Sequence, residues 1–202
     1  MRFLKAVLWP INWLLTVMYL QRRRVVWKGK VPSMNMLRPP IFQVQGKLTV
    51  GIGVIFFTHQ GRTVIQVDPG AEITIGNHVR IGSGTTIRAG VKIRIDDYVL
   101  IGRLVDIYDW DLHKIDEQDE CVRQEVVLMR NTWIGVKSTI LPGVVIGKHS
   151  VVGANSVVTK HVKEKTKVAG TPAHPVGIVD CRDHWIRLHD PAHGVEFVDG
   201  QV

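Results

Sequence analysis

Residues 128–158 read LMRNTWIGVKSTILPGVVIGKHSVVGANSVV and carry an aliphatic side chain at every sixth position. These aliphatic positions are Leu128, Ile134, Ile140, Ile146, Val152 and Val158. A period of six matches neither the 3.6-residue period of an amphipathic helix nor the two-residue period of a single strand. It is typical of a solenoid in which every six residues form one short strand and one corner.

The same period appears upstream of this stretch. It runs through Ile75, Ile81 and Ile87 and, after a phase slip of two residues, through Ile95, Ile101 and Ile107. Glycine, which accepts positive φ in tight corners, follows the aliphatic residue at Gly76, Gly82, Gly102, Gly135, Gly147 and Gly153. Three six-residue faces make a triangular coil of about 18 residues, and each coil buries its inward side chains against its neighbours. We therefore predict an all-β protein, a parallel β-helix of hexapeptide repeats.

Proline-rich segments flank the repeats on both sides. Proline excludes regular helix and central strand, and it occurs at Pro32, Pro39, Pro40, Pro172, Pro175 and Pro191. The chain divides into four predicted parts: a hydrophobic-basic helical segment at residues 1–24, a connector at 25–43, a β-helix domain at 44–170 and a C-terminal tail at 171–202. The β-helix domain includes an extruded loop at 108–127. The tail is expected to be irregular apart from a short helix near Arg182–His189.

The positive charge is concentrated at the N-terminus. Ten Lys and Arg residues precede Asp68, the first acidic residue, and 16 basic and 18 acidic residues follow from there. A nucleic-acid binder would carry its basic residues on the folded face. The distribution therefore predicts no nucleic-acid partner. The two cysteines, Cys121 and Cys181, form no CxxC motif, which is compatible with a reducing cytosol.

The N-terminal segment has two interpretations. Residues Phe3–Leu20 are mostly apolar, and Arg22–Arg24 follow them. In the first interpretation the segment lies on a membrane surface, held by aromatic rings and by attraction of the arginines to anionic lipid, so that a cytoplasmic protein associates with the inner membrane. In the second, it is a helix packed on the end of the solenoid or on a sister subunit.

The hexapeptide period breaks between Ile107 and Leu128. The intervening segment is polar, and it contains Asp109, Asp111 and His113. Because loops on rigid scaffolds often carry chemistry, and imidazole accepts a proton near neutral pH, His113 is the candidate general base, with either aspartate holding its ring. A solvated histidine on an acidic loop is the alternative. A metal site is not predicted, because three such ligands in five residues rarely complete a coordination shell.

Four motifs in order resemble those of the hexapeptide-repeat O-acetyltransferases, especially the sugar and polysaccharide acetyltransferases. They begin at Asn131, Ile140, Val152 and Ala169 and read NTWIG, ILPGVVIG, VGANSVVTK and AGTPA. The resemblance implies a left-handed coil and a homotrimer whose active sites lie between subunits. It also implies acetyl-CoA as donor, and as acceptor a hydroxyl of a sugar or of a polysaccharide or glycolipid precursor.

The resemblance also implies roles for particular residues. His113 takes the proton from the acceptor hydroxyl, and transfer is direct, within a ternary complex. The main-chain N–H of Val136 stabilises the oxyanion, and the backbone of Ala154 contacts the pantetheine arm. Thr159 and Lys160 contact the far end of CoA.

Trp133 either walls the CoA tunnel or is merely a large outward residue. The positions that bind sugar in the galactoside group are Gly84 and Ala89–Gly90 here, so the acceptor is expected to differ. Two other functions remain as alternatives. One is a non-catalytic β-helix that docks partners, and the other is a metalloenzyme resembling the γ-class carbonic anhydrases, which would need zinc-binding histidines on the coil faces.

Overall fold

The computed structural model describes residues 13–29, 32–34, 38–111, 113–114, 117–118 and 120–187. Residues 13–22 are helical and are called α1. Most of the predicted N-terminal segment, residues 1–12, and the end of the tail, residues 188–202, lie outside the described residues.

Eighteen short strands follow α1 and form six coils of three strands each within the described chain. The coils are β1 Val25–Trp27, β2 Ser33–Met34 and β3 Ile41–Val44; β4 Lys47–Val50, β5 Ile55–Phe56 and β6 Val64–Val67; β7 Glu72–Ile75, β8 Arg80–Ile81 and β9 Thr86–Ala89; β10 Lys92–Ile95, β11 Leu100–Ile101 and β12 Asp106–Tyr108; β13 Val126–Leu128, β14 Trp133–Ile134 and β15 Thr139–Ile140; and β16 Val145–Ile146, β17 Val151–Val152 and β18 Val157–Val158. The last two strands of the described residues are β19 Thr166–Gly170 and β20 Ala173–Ile178.

Each strand of the first five coils pairs in parallel with the strand three places further along the chain, and β17 of the sixth coil pairs with β19. The result is three sheets: the first runs from β1 to β16, the second from β2 to β19, and the third from β3 to β18. The second sheet ends with β20, which pairs antiparallel with β19. The prediction of an all-β, left-handed parallel β-helix is confirmed.

The core consists of the aliphatic columns that the six-residue period predicts. In the first sheet, the register stacks Val50, Ile75, Ile95, Leu128 and Ile146 on one another. All five are buried. Because the strands are parallel and in register, one aliphatic residue per strand is enough to fill the interior over its whole length.

The solenoid begins earlier than the predicted boundary at residue 44. Strand β1 pairs with β4, and β3 pairs with β6, so the predicted connector at 25–43 already contributes the first coil. Its prolines predict the absence of regular helix, and Pro32, Pro39 and Pro40 lie between the strands. At the other end, β20 precedes irregular chain at 179–187, and the described residues 182–187 are not helical.

The corners keep the ladder of main-chain hydrogen bonds continuous. Several corners hold a non-glycine residue in the left-handed conformation, for example Tyr98 (φ 60°), Asn131 (φ 58°) and His149 (φ 62°). In this conformation the N–H of Tyr98 donates to the carbonyl of Asn77 in the preceding coil at 2.8 Å. We call the corner between the first and second sheets the first corner, the next one the second corner, and the one that returns to the first sheet the third corner.

Candidate active site

The extruded loop leaves the third corner of the fourth coil, between the end of β12 and the start of β13, and its base is a short antiparallel ribbon. Trp110 forms a β-bridge with Arg123, and the N–H of Asp111 donates to the carbonyl of Val122 at 3.0 Å. The Arg123 guanidinium lies 5.5 Å from the centre of the Trp110 ring. The ring packs over Gly90, where an added Cβ would come within 2.5 Å of it. The ribbon therefore fixes the direction in which the loop departs.

Asp109 anchors this ribbon to the stack. Its side chain is fully buried, and its two oxygens accept hydrogen bonds from the N–H groups of Gly90 (2.7 Å) and Val91 (2.9 Å) in the preceding coil. Main-chain donors to a buried carboxylate are strong and costly to lose. Asp109 therefore holds the corner, a role that the sequence pattern did not predict.

His113 lies beyond the ribbon and is exposed. Within the described chain no side chain hydrogen-bonds its ring, and the predicted contact with Asp109 or Asp111 is not formed in this single chain. Asp111 is half-buried beside the ribbon. The loop thus carries an accessible imidazole.

Val136 and Ala154 lie one above the other at the second corner. They follow Gly135 and Gly153, and a Cβ at Gly135 would approach the nitrogen of Ala154 to 2.6 Å. Neither Val136 nor Ala154 donates its main-chain N–H to another described residue. The second corner therefore offers two stacked main-chain donors on the solenoid surface.

The other predicted CoA contacts lie elsewhere on the coil. Thr159 and Lys160 are exposed at the third corner, two coils beyond the loop that carries His113. Trp133 begins β14 in the second sheet, where it is 46% exposed, and the Arg187 guanidinium lies 5.9 Å from its ring centre. A single chain therefore brings the loop, Thr159 and Lys160 to one corner, and Val136 and Ala154 to another.

A polar network at the first corner was missed by the sequence analysis. The Oδ1 atom of Asn131 accepts from the N–H of Arg187 at 2.8 Å, so its Nδ2 must donate, and it does so to the carbonyl of Trp185 and to Nδ1 of His149, both at 2.8 Å. The Arg187 guanidinium reaches the carbonyls of Asn131 (2.9 Å) and His149 (3.2 Å). We call residues 182–187 the strap, because these bonds hold it across the first corner.

The network requires a neutral His149 ring. Nδ1 accepts from Asn131, so the proton is on Nε2, and the ring also hydrogen-bonds the main chain of Asp183. Burial lowers the pKa of His149 below its ordinary value; nearby Lys165 and Arg187 also lower it, while the contacts with Asp183 oppose the shift. Lys165 pairs with Asp183 at 2.5 Å at the edge of the network.

The described residues contain no cluster of candidate metal ligands. Over this part of the chain, no three His, Cys, Asp or Glu side chains lie together as metal ligands would.

Comparison with known proteins identifies the repeats. The family model for bacterial transferase hexapeptide repeats matches residues 125–160. The lipopolysaccharide biosynthesis O-acetyl transferase WbbJ of Escherichia coli K12 is 34% identical over 143 residues, which cover 70% of this chain and 68% of that relative. The chain belongs to the hexapeptide-repeat O-acetyltransferase family. This confirms the resemblance found in the four sequence motifs.

Two further members of the family are similar to the chain over shorter parts. The galactoside O-acetyltransferase of Lactococcus lactis is 29% identical over 136 residues, which cover 67% of this chain but only 56% of that enzyme. The chain thus spans little more than half the length of that relative. A hexapeptide-repeat acetyltransferase of Vibrio cholerae, solved in complex with acetyl-CoA, is 31% identical with a TM-score of 0.53, covering 64% of this chain and 73% of that one.

Proposed function

We propose that this chain is an acetyltransferase that moves the acetyl group of acetyl-CoA to a hydroxyl of a sugar or of a polysaccharide or glycolipid precursor. The observation that carries the proposal is the exposed His113 on a loop whose base is anchored to the stack by Asp109. Relatives named as sugar and lipopolysaccharide O-acetyltransferases support the acceptor class. The similar acetyltransferase that was solved with acetyl-CoA supports the donor.

In this mechanism His113 acts as the general base. Its ring accepts the proton of the acceptor hydroxyl while that oxygen attacks the thioester carbonyl, and the ring then returns the proton to the departing CoA thiolate. Both substrates are held together, so that no covalent acyl-enzyme is needed. The N–H of Val136, which has no acceptor among the described residues, would donate to the developing oxyanion.

The donor site would combine main-chain and side-chain groups. The unused N–H of Ala154 suits the polar pantetheine arm, and the exposed Lys160 beside Thr159 suits the phosphates at the far end of CoA. Trp133, half-exposed next to Arg187, offers an apolar wall.

A homotrimer would bring these groups together. On one chain the third sheet separates the corner of Val136 and Ala154 from the corner of the His113 loop, and one face of about five residues spans roughly 16 Å. If the loop of one subunit faces the second corner of the next, the imidazole and the main-chain donors meet in one groove. Free Cys121 and Cys181 fit a reducing cytosol as the compartment of the reaction.

The decisive experiment replaces His113 by alanine and measures release of CoA thiol with acetyl-CoA and a panel of sugar acceptors. We expect kcat to fall about 10²–10⁴-fold, the usual contribution of a general base. The midpoint of urea unfolding should be unchanged, because the side chain is exposed. A loss of only a few-fold would exclude the general-base role.

Asp109 provides the matched comparison. Asp109→Asn removes the charge from the bonds to Gly90 and Val91, so we expect lower stability by about 2 kcal/mol together with reduced activity. If activity fell as far as in His113→Ala while stability stayed constant, Asp109 would act on the histidine and not as the anchor of the loop.

A further inference from the structure

The helix α1 has one buried and one exposed face. Thr16 and Leu20 are buried, and the Tyr19 ring lies 6.0 Å from the ring of Phe42 in the first coil. The Tyr19 hydroxyl also donates to the carbonyl of Pro40. These contacts fix α1 against the solenoid and determine which of its side chains point away from it.

The outward face of α1 is apolar. Leu14 (53% exposed), Leu15 (48%) and Met18 (58%) share it at helical spacing, and Trp13 (49%) precedes them. An exposed apolar cluster of this kind marks an interaction surface more often than scattered single residues do. We call Trp13, Leu14, Leu15 and Met18 the apolar patch.

Positive charge lies directly beside this patch. Arg22, Arg23 and Arg24 are all exposed at the end of α1, and Arg22 is one turn beyond Met18 on the same face. No acidic residue occurs in the first 67 positions, so nothing in this part of the sequence neutralises the arginines. The surface therefore combines apolar side chains, an aromatic ring and unopposed cations.

We infer that the apolar patch and Arg22–Arg24 dock this protein on the surface of an anionic lipid bilayer. The helix lies in the plane of the interface, the apolar side chains enter the boundary between headgroups and acyl chains, and the arginines pair with lipid phosphates. Trp13 occupies the interfacial layer, where amphipathic rings are favoured. In the described residues, no helix has the length and apolar character needed to cross a bilayer.

The distribution of charge favours a lipid surface over a second copy of the chain as the partner of α1. Two copies joined through α1 would bring two sets of Arg22–Arg24 together with no acidic side chain from the first 67 residues to pair them. Like charges placed face to face oppose such an interface. An anionic bilayer supplies the missing negative charge and covers the apolar side chains at the same time.

The test is co-sedimentation of the full-length protein with vesicles made of equal parts phosphatidylglycerol and phosphatidylcholine, or of phosphatidylcholine alone. We expect binding to the anionic vesicles that weakens as salt is raised, and little binding to the neutral ones. Met18→Glu should lower the partition coefficient more than tenfold, because it places a charge in the apolar contact. Arg22→Gln and Arg24→Gln should each lower it about fivefold, the contribution of one basic residue near an anionic surface.

Val176→Glu is the matched control, since Val176 is an equally accessible aliphatic residue (65% exposed) on β20. It should bind vesicles like the unmodified protein. Equal loss in Val176→Glu and Met18→Glu would overturn the proposal, as would equal binding to neutral and anionic vesicles. Absence of vesicle binding together with a smaller oligomer for Met18→Glu, seen by light scattering, would assign α1 to contact between subunits instead.

Discussion

The first corner of the second and third coils differs from the second corner of the fifth and sixth coils in what happens to the main-chain N–H of the residue that opens the turn. At the first corner, the N–H of Ile52 donates to Oδ1 of Asn77 at 2.9 Å, and that of Asn77 donates to Oδ1 of Asp97 at 2.6 Å. At the second corner, the equivalent positions are Val136 and Ala154, whose side chains offer no acceptor and whose N–H groups have no described partner. The same backbone turn is therefore capped at Ile52 and Asn77 and uncapped at Val136 and Ala154.

The comparison shows how a uniform solenoid separates structural from functional surfaces. Asn77 and Asp97 each cap the turn of the preceding coil, and further along the first corner Asn131 and His149 also bind the strap. An aliphatic residue in the same place leaves a donor open to a ligand. We therefore propose that acetyl-CoA binds at the second corner, which we call the open corner. The first corner, which we call the closed corner, contributes to stability.

Among the tests of this comparison, the largest effect is expected from removing a main-chain N–H donor at the open corner. Val136→Pro deletes the N–H, and proline is tolerated at such turns, since Pro69 and Pro142 already occupy corners of this solenoid. We expect kcat for acetyl transfer to fall about 10²–10³-fold, the usual cost of losing one oxyanion donor. The measurement is CoA thiol release at saturating substrates.

Two controls accompany this variant. Val136→Ala changes the side chain and keeps the N–H, and Lys148→Pro makes the same backbone change at the first corner. Both should retain activity within a few-fold. If Lys148→Pro were as damaging as Val136→Pro, the two corners would not differ in function.

A smaller effect, on stability, tests the closed corner. Asn131 and Asn155 both have the left-handed conformation, with φ of 58° and 55°, but only Asn131 uses its side chain to bind the strap. Both alanine variants are destabilised at this position, because alanine adopts the left-handed conformation less readily than asparagine. Asn131→Ala also leaves polar groups of Trp185, Arg187 and His149 without a partner, so it should unfold more easily than Asn155→Ala by about 2 kcal/mol.

Urea denaturation of the two variants gives this difference directly. Limited proteolysis gives a second readout, because release of the strap should expose it to cleavage in Asn131→Ala alone. Equal unfolding free energies would mean that the strap adds nothing to the closed corner.

The smallest effect is a pH dependence of the same corner. The pKa of His149 is lowered in the folded state, chiefly by burial. As the pH falls, His149 therefore takes up a proton in the unfolded chain before it does so in the folded one. Its contribution to stability is complete above the pKa of the unfolded chain, about 6.5, and declines as the pH falls below that value. Asp183 favours the charged ring, while the positive charges of Lys165 and Arg187 oppose it.

His149→Asn separates this titration from the rest of the chain. Asparagine accepts the left-handed conformation and keeps polar atoms near Nδ1, but it does not titrate. The free energy of unfolding, measured between pH 7 and pH 5, should fall less steeply in His149→Asn than in the unmodified protein. An identical slope in both would show that other groups govern the acid response.

The repeating core was predictable because it depends on one local rule. Each coil must supply inward aliphatic residues, so the six-residue spacing marks Ile75, Ile95 and Leu128 as core positions, and the strand register stacks them in one column. The first coil was not predictable to the same extent, since the short strands β1 to β3 lie among prolines, and only pairing with β4 to β6 stabilises them. His113 was found because the loop interrupts the period, but the anchoring role of Asp109 depends on the coil before it.

The amino-acid sequence by itself determined the parallel β-helix, its columns, the position of the loop and the asymmetry of charge, because each of these depends on residue type and spacing along the chain. The tertiary structure alone decided which corners are capped, that the strap reaches Asn131 from residues more than fifty positions away, and which face of α1 remains exposed. These features join residues that are distant in sequence. They are stabilised by contacts between stacked coils, and a local sequence pattern does not specify such contacts.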